Sequence, residues 1–176
     1  SYAKSPLGFD PGTRYQYSLC HDVLAAVVEV ASGKRFGAYL DEVIFAPLGM
    51  TSAKFMPDYD GATSLYARDG ATGEPKSVPH DVFGEIVRGY ESGGGGLIMR
   101  AADYLKFVGA LACGGPPVLS RATVDLMRQN RLSGRPMEDF RALNKRGYGY
   151  GLGVRTMVDP EAGNSRSPVG EFGWDG

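Results

Sequence analysis

The chain has 176 residues, 43% of them hydrophobic, and a formal net charge of −1, which describes one ordinary globular domain with its own core. Lysines and arginines are scattered, so no basic patch is present to attract nucleic acid, and no apolar run reaches the roughly 20 residues that a membrane span needs. Glycine is over-used, at 26 residues. With normal apolar content this points to tight turns and close backbone approaches rather than disorder.

The first informative stretch is Pro11-Gly12-Thr13-Arg14-Tyr15-Gln16-Tyr17-Ser18-Leu19. A Pro-Gly turn there delivers a tyrosine to the start of an apolar helix pattern. Unpaired N–H groups and the positive end of the helix dipole favour an oxygen anion at such a place. Over 18–31, Val23, Leu24, Val27, Val28 and Ala31 recur at helical spacing and predict an inward-facing stripe, with Gly33 as its stop. Phe36, Tyr39, Leu40, Val43 and Ile44 repeat the pattern in a second helix, which Pro47 is expected to end. The stretch 56–74 is loop-like, with a short hairpin predicted around Asp69-Gly70-Ala71-Thr72-Gly73. After Gly93-Gly94-Gly95-Gly96, the spacing predicts a helix over 101–112, closed by Gly114-Gly115-Pro116-Pro117. Ser120 reads as the N-cap of a helix reaching Asn130, with Val124 and Met127 facing inward. Residues 131–146 read as polar and irregular. Tyr148, Tyr150, Leu152 and Val154 then alternate with glycines and Arg155, which predicts one strand, and a second is predicted over 169–174.

This order divides the chain into a helical region, 1–146, and returning strands, 147–176. Two strands make a poor independent sheet, so the pattern reads as the middle of a larger fold. Cys20 and Cys113 sit in apolar helix patterns and are expected to be buried free thiols.

Most polar clusters read blandly. His21 and His80 are too isolated for a Ser-His-Asp triad. Asp58 and Asp60 lack the other ligands of a calcium loop, so no metal and no cofactor is expected. The glycine run lacks the Lys-Thr of a phosphate loop and reads as a backbone turn near a cleft. Ser18 reads as a helix-capping hydroxyl.

Several pieces together resemble one family. They are Tyr17-Ser18-Leu19, the run to Phe45-Ala46-Pro47-Leu48-Gly49-Met50, the glycine run entering Ala101-Ala102-Asp103-Tyr104, Leu119-Ser120-Arg121-Ala122-Thr123, and Trp174-Asp175-Gly176. In order and spacing they resemble the serine beta-lactamase and penicillin-binding superfamily, on its carboxylesterase-like branch. The resemblance implies an α/β architecture of the α+β type, the beta-lactamase/transpeptidase-like fold, with an incomplete antiparallel sheet here. It implies that Tyr17 is the catalytic proton relay beside a nucleophilic serine, and that Leu19, Trp174 and Gly176 line the substrate site. Trp174 is equally at home as a core residue of a sheet.

Two departures qualify the match. Leu19 stands where the family has asparagine and offers neither donor nor acceptor. Trp174-Asp175-Gly176 stands where lactamases carry Lys-Thr-Gly and matches the esterase pattern. The family's Ser-x-x-Lys is met only by Ser1-Tyr2-Ala3-Lys4, a coincidence of letters 13 residues before Tyr17, so the nucleophile and its lysine are expected upstream of Ser1. The expected parent cleaves a small-molecule ester, or an amide or lactam, through a seryl intermediate, with the remainder of the fold as this chain's partner and the chain alone inactive. The rival expectation is a non-catalytic binding module that keeps the fold, and Leu19 is its best support.

Overall fold

The computed structural model describes residues 4–55, 63–78 and 90–174. The chain divides into two units: Ser1–Leu19 with Val108–Gly176, and Cys20–Phe107. Both mix helices with short antiparallel ladders. His80, Asp58, Asp60 and Ser1 to Ala3 lie outside the described residues.

In the unit Cys20–Phe107, helix α1 spans Cys20–Ser32. The face expected to be core is largely exposed: Val23, Leu24, Val27 and Ala31 face solvent, and Val28 is half-buried. Asp22 and Ala25 are buried instead, because they face Ser92–Gly94 rather than another helix. Ser92 Oγ donates to Asp22 Oδ1 at 2.6 Å, and a Cβ on Gly93 would collide with the His21 carbonyl oxygen. Only glycine permits that approach.

Helix α2 (Phe36–Leu40) starts under two carboxylates. Glu29 accepts the Phe36 N–H and Glu91 the Gly37 N–H, each at 2.8 Å, which satisfies donors the helix leaves unpaired. A π-helical turn, Asp41–Phe45, joins it to α3 (Ala46–Leu48). Pro47 therefore does not end this helix. It sits in a first turn, where a missing N–H costs nothing, and the stop is Gly49 at φ +64°.

The strands of this unit are β1 (Lys54–Phe55), β2 (Leu65–Arg68), β3 (Pro75–Val78) and β4 (Leu97–Ile98). Strands β2 and β3 form the hairpin expected around Asp69–Gly73, and β1 pairs antiparallel with β4. Next comes α4 (Ala101–Ala112). Its buried Asp103 accepts from Lys106 Nζ at 2.7 Å and from Ser52 Oγ at 2.6 Å and N at 2.8 Å. These bonds hold the Asp103 carboxyl well below the usual carboxylate range, that from Lys106 contributing most.

The other unit contains α5 (Arg121–Met127), α6 (Gly134–Arg141), β5 (Tyr148–Tyr150), β6 (Arg155–Met157) and β7 (Phe172–Gly173). Ser120 caps α5 as expected, its oxygen accepting the Thr123 N–H at 3.1 Å. That helix stops at Met127, short of Asn130. Helix α6 occupies part of the stretch read as irregular, because Phe140 turns into the core with no exposure.

The alternation over 148–155 is two strands rather than one. Gly151 N–H donates to Val154 O at 2.8 Å, so the chain reverses and β5 pairs antiparallel with β6, which pairs with β7. Buried Val124, Phe140, Thr156 and Met157 form this unit's core. Both cysteines are exposed, contrary to the burial expected: Cys20 is the first residue of α1, and Cys113 lies in the turn just past the end of α4.

Candidate active site

The turn before Tyr17 forms as its sequence predicts. Gly12 takes φ +84°, and the Thr13 N–H and Oγ1 both donate to Asp10 O, at 3.1 and 2.7 Å. From there the backbone runs across α6. Arg14 grips Asp139 through Nε at 2.6 Å and Nη2 at 3.0 Å, and Asp139 also accepts the Tyr15 N–H at 3.2 Å. Arg135 Nε adds a third cationic partner atom at 3.2 Å. The Arg14 bond, more than any other contact, pulls the Asp139 carboxyl down to about 2. It is therefore ionised at neutral pH, and its charge is spent on holding this segment.

Aromatic rings continue the anchoring. Tyr15 packs edge-on to Phe140 (centroids 5.0 Å apart) and Tyr150 (5.2 Å), and Phe140 touches Tyr150 at 5.5 Å. Tyr150 in turn meets Trp174 edge-on at 5.7 Å. Tyr17 then stacks on Trp174, with centroids 6.0 Å apart and ring planes within 4° of parallel. Each such pair adds about 0.5–1.5 kcal/mol beyond buried area, so the cluster fixes the Tyr17 ring although that residue is 65% exposed. Lys145 Nζ lies 5.4 Å from the Trp174 ring centroid, a cation–π contact of about 0.5–1 kcal/mol at an accessible site.

Of the four expected site residues, the structure brings together Tyr17 and Trp174. Trp174 is 37% exposed, at the end of β7 rather than inside a core. Leu19 is exposed just before α1 and presents only hydrocarbon. Gly176 lies outside the described residues. Among the described residues no group of three or more His, Cys, Asp or Glu side chains could hold a metal ion, and no helix is long and apolar enough to cross a membrane. Sequence reasoning missed Tyr15, Phe140, Tyr150, Lys145 and the Arg14–Asp139 clamp. Tyr15-x-Tyr17 and Tyr148-x-Tyr150 carried a faint signal, an aromatic every second residue; Lys145 carried none.

An exposed phenol stacked on an aromatic ring can accept and return a proton while a neighbouring group reacts. The Beta-lactamase family model matches residues 1–176, and the chain belongs to that family.

It is similar to the esterase EstB of Burkholderia gladioli, 33% identical over 194 residues that cover 99% of this chain and 47% of that protein. It is also similar to the lovastatin esterase of Penicillium rubens, at 29% identity over 88% of this chain and 44% of that protein. The solved structure of simvastatin synthase (LovD) from Aspergillus terreus superimposes with a TM-score of 0.82 at 26% identity, covering 94% of this chain and 46% of that one. The chain thus has the beta-lactamase/transpeptidase fold, and it spans about half the length of the curated relatives it matches.

Proposed function

We propose that this chain supplies the tyrosine base and one wall of the active site of a serine hydrolase that cleaves small-molecule esters, with the nucleophilic serine and its lysine contributed by sequence outside 1–176. The observation that carries this reading is the parallel stack of Tyr17 on Trp174, which holds an exposed phenol oxygen in place. Its relatives' names, an esterase and a lovastatin esterase, support the choice of ester.

In the proposed cycle the Tyr17 oxygen accepts the serine hydroxyl proton as Oγ bonds to the ester carbon. The alcohol leaves as the carbon–oxygen bond breaks, and takes that proton from Tyr17. Water then repeats the exchange: Tyr17 accepts its proton, hydroxide cleaves the acyl–serine bond, and Tyr17 returns the proton to Oγ.

The test uses the protein expressed from its complete reading frame. A fluorophosphonate probe should label one serine, and Tyr17→Phe should lower the acylation rate by on the order of 100-fold, the usual scale for losing general acid–base help. Leu19, aliphatic and exposed, favours a second reading, a binding module without chemistry. Absence of labelling together with absence of ester turnover selects that module.

A further inference from the structure

A cavity of about 460 Å³ opens between the end of α4, helix α5 and the segment 168–171 that leads into β7. That volume falls within the roughly 300–1,000 Å³ range of small-molecule sites. None of Tyr17, Trp174 and Lys145 lines it, and Leu111, Val124, Val169 and Phe172 give it apolar walls. Both sides are fixed. Ser120 caps α5 by accepting the Thr123 N–H. Across the cavity, the Gly170 N–H donates to Met157 O at 2.8 Å, and Glu171 O accepts the Met157 N–H at 2.7 Å.

Four charged side chains share the lining, and three of them are committed. Arg128 donates to Asp125 Oδ1 from Nε at 3.1 Å and from Nη2 at 2.7 Å. Glu171 accepts from Arg155 Nη1 through both oxygens, at 3.0 and 3.1 Å. Arg121 is left, exposed, its guanidinium with no hydrogen bond or ion pair among the described residues. It lies over Gly114, its Nε and Nη2 standing 3.2 and 3.3 Å from where a Cβ would be. Gly114 takes φ +92°, so backbone alone forms this seat. With both pairs neutral, one positive charge remains, set against hydrocarbon.

We infer that this cavity is a second binding site, for an aliphatic monocarboxylate whose anion pairs with Arg121 while its chain lies along Val124, Val169 and Phe172. A guanidinium presents its N–H groups in a fork that matches a carboxylate, and charge-assisted bonds of that kind are the strong ones. The single free charge selects a monoanion, because a dianion would leave one charge uncompensated beside apolar walls. Those walls select a hydrocarbon tail.

The experiment is calorimetric titration of the protein expressed from its complete reading frame. The probes are hexanoate, neutral hexanamide, and the butyrate, octanoate and decanoate that vary the chain. Hexanoate should bind, and hexanamide should bind at least about tenfold more weakly. Affinity should rise by about two- to fourfold with each added methylene until the wall is covered. The length at which the gain stops separates a short acid, such as ester cleavage releases, from a fatty acid. Arg121→Met should weaken hexanoate by about tenfold or more, with Arg121→Lys recovering only part. Val169→Asp should weaken the whole series. Arg121 and Val169 are both exposed, so these variants keep the fold.

No binding of hexanoate or octanoate overturns the inference, and so does equal affinity for acid and amide. Binding that survives unchanged in both Arg121→Met and Val169→Asp puts the acid elsewhere, and overturns it too. None of these readouts needs turnover, so the result stands apart from the hydrolase reading.

Discussion

Arg14 and Asp139, 125 residues apart, meet through two bonds of 2.6 and 3.0 Å, and the same carboxylate accepts the Tyr15 N–H. One acidic side chain on α6 thereby holds the backbone that carries Tyr17, two residues further on. The segment has no secondary structure of its own, so its position depends on this pair and on the Tyr15 ring packed against Phe140 and Tyr150.

Strong acid should undo that pair. The Asp139 carboxyl lies at about 2 in the folded chain against an ordinary 3.8. A depressed value means stability that is fully present above the ordinary value and is lost as pH falls toward 2. Thermal midpoints of wild type and Asp139→Asn should therefore be well separated at pH 6 and converge between pH 4 and 2 (Asp103, also depressed, titrates alike in both proteins). A gap independent of pH would show that the asparagine acts through packing and not through the lost charge.

The glycine run offers a paired test within four residues. A Cβ on Gly93 would collide with the His21 carbonyl oxygen and come within 2.9 Å of Ala25 Cβ, whereas one on Gly95 meets nothing within 4 Å. Gly93→Ala should destabilise the Cys20–Phe107 unit by about 1–3 kcal/mol, the usual scale for overpacking. Gly95→Ala should be neutral or slightly stabilising, through its effect on the unfolded chain. Urea denaturation of both variants measures the difference, and equal midpoints would refute the close approach of α1.

For the protein expressed from the complete reading frame, esters should be better substrates than beta-lactams. Leu19 removes an amide partner and Trp174 replaces a cationic position, and each charge-assisted bond lost from a site is worth about 1.5–3 kcal/mol. The specificity constant for p-nitrophenyl butyrate should exceed that for nitrocefin by about 100-fold or more on that scale. A higher constant for nitrocefin would sink the ester reading.

What could be read from the sequence was local. The Pro11–Gly12 turn, the Ser120 cap and the Asp69–Gly73 hairpin each depend on a few adjacent residues, and each formed. The family resemblance, and with it the fold, was legible because its pieces occur in a fixed order. The α1 stripe was legible as a helix but not as an exposed one, because periodicity reports an apolar face and not whether anything covers it. Helix α6 was hidden by Pro136 and by polar neighbours, although Phe140 is its buried anchor. The reversal between β5 and β6 was lost because Tyr148, Tyr150, Leu152 and Val154 keep period two through the turn. Tyr17 and Trp174 were picked out by resemblance, and their rings stack. Lys145 and the Arg14–Asp139 pair were not, since contacts between distant segments leave no spacing to read.

Trp174 is the chain's sole tryptophan, and it touches Tyr17, Tyr150 and Lys145 at once. The proposed site therefore contains its own optical probe. Excited at the red edge, where tyrosine does not absorb, this indole reports the polarity of one small volume without any attached dye. A ligand that displaces water from the ring, or draws the ammonium away from it, changes emission wavelength and intensity. The ten tyrosines contribute no background at that wavelength, so emission from this chain is a direct record of whether the place beside Tyr17 is filled.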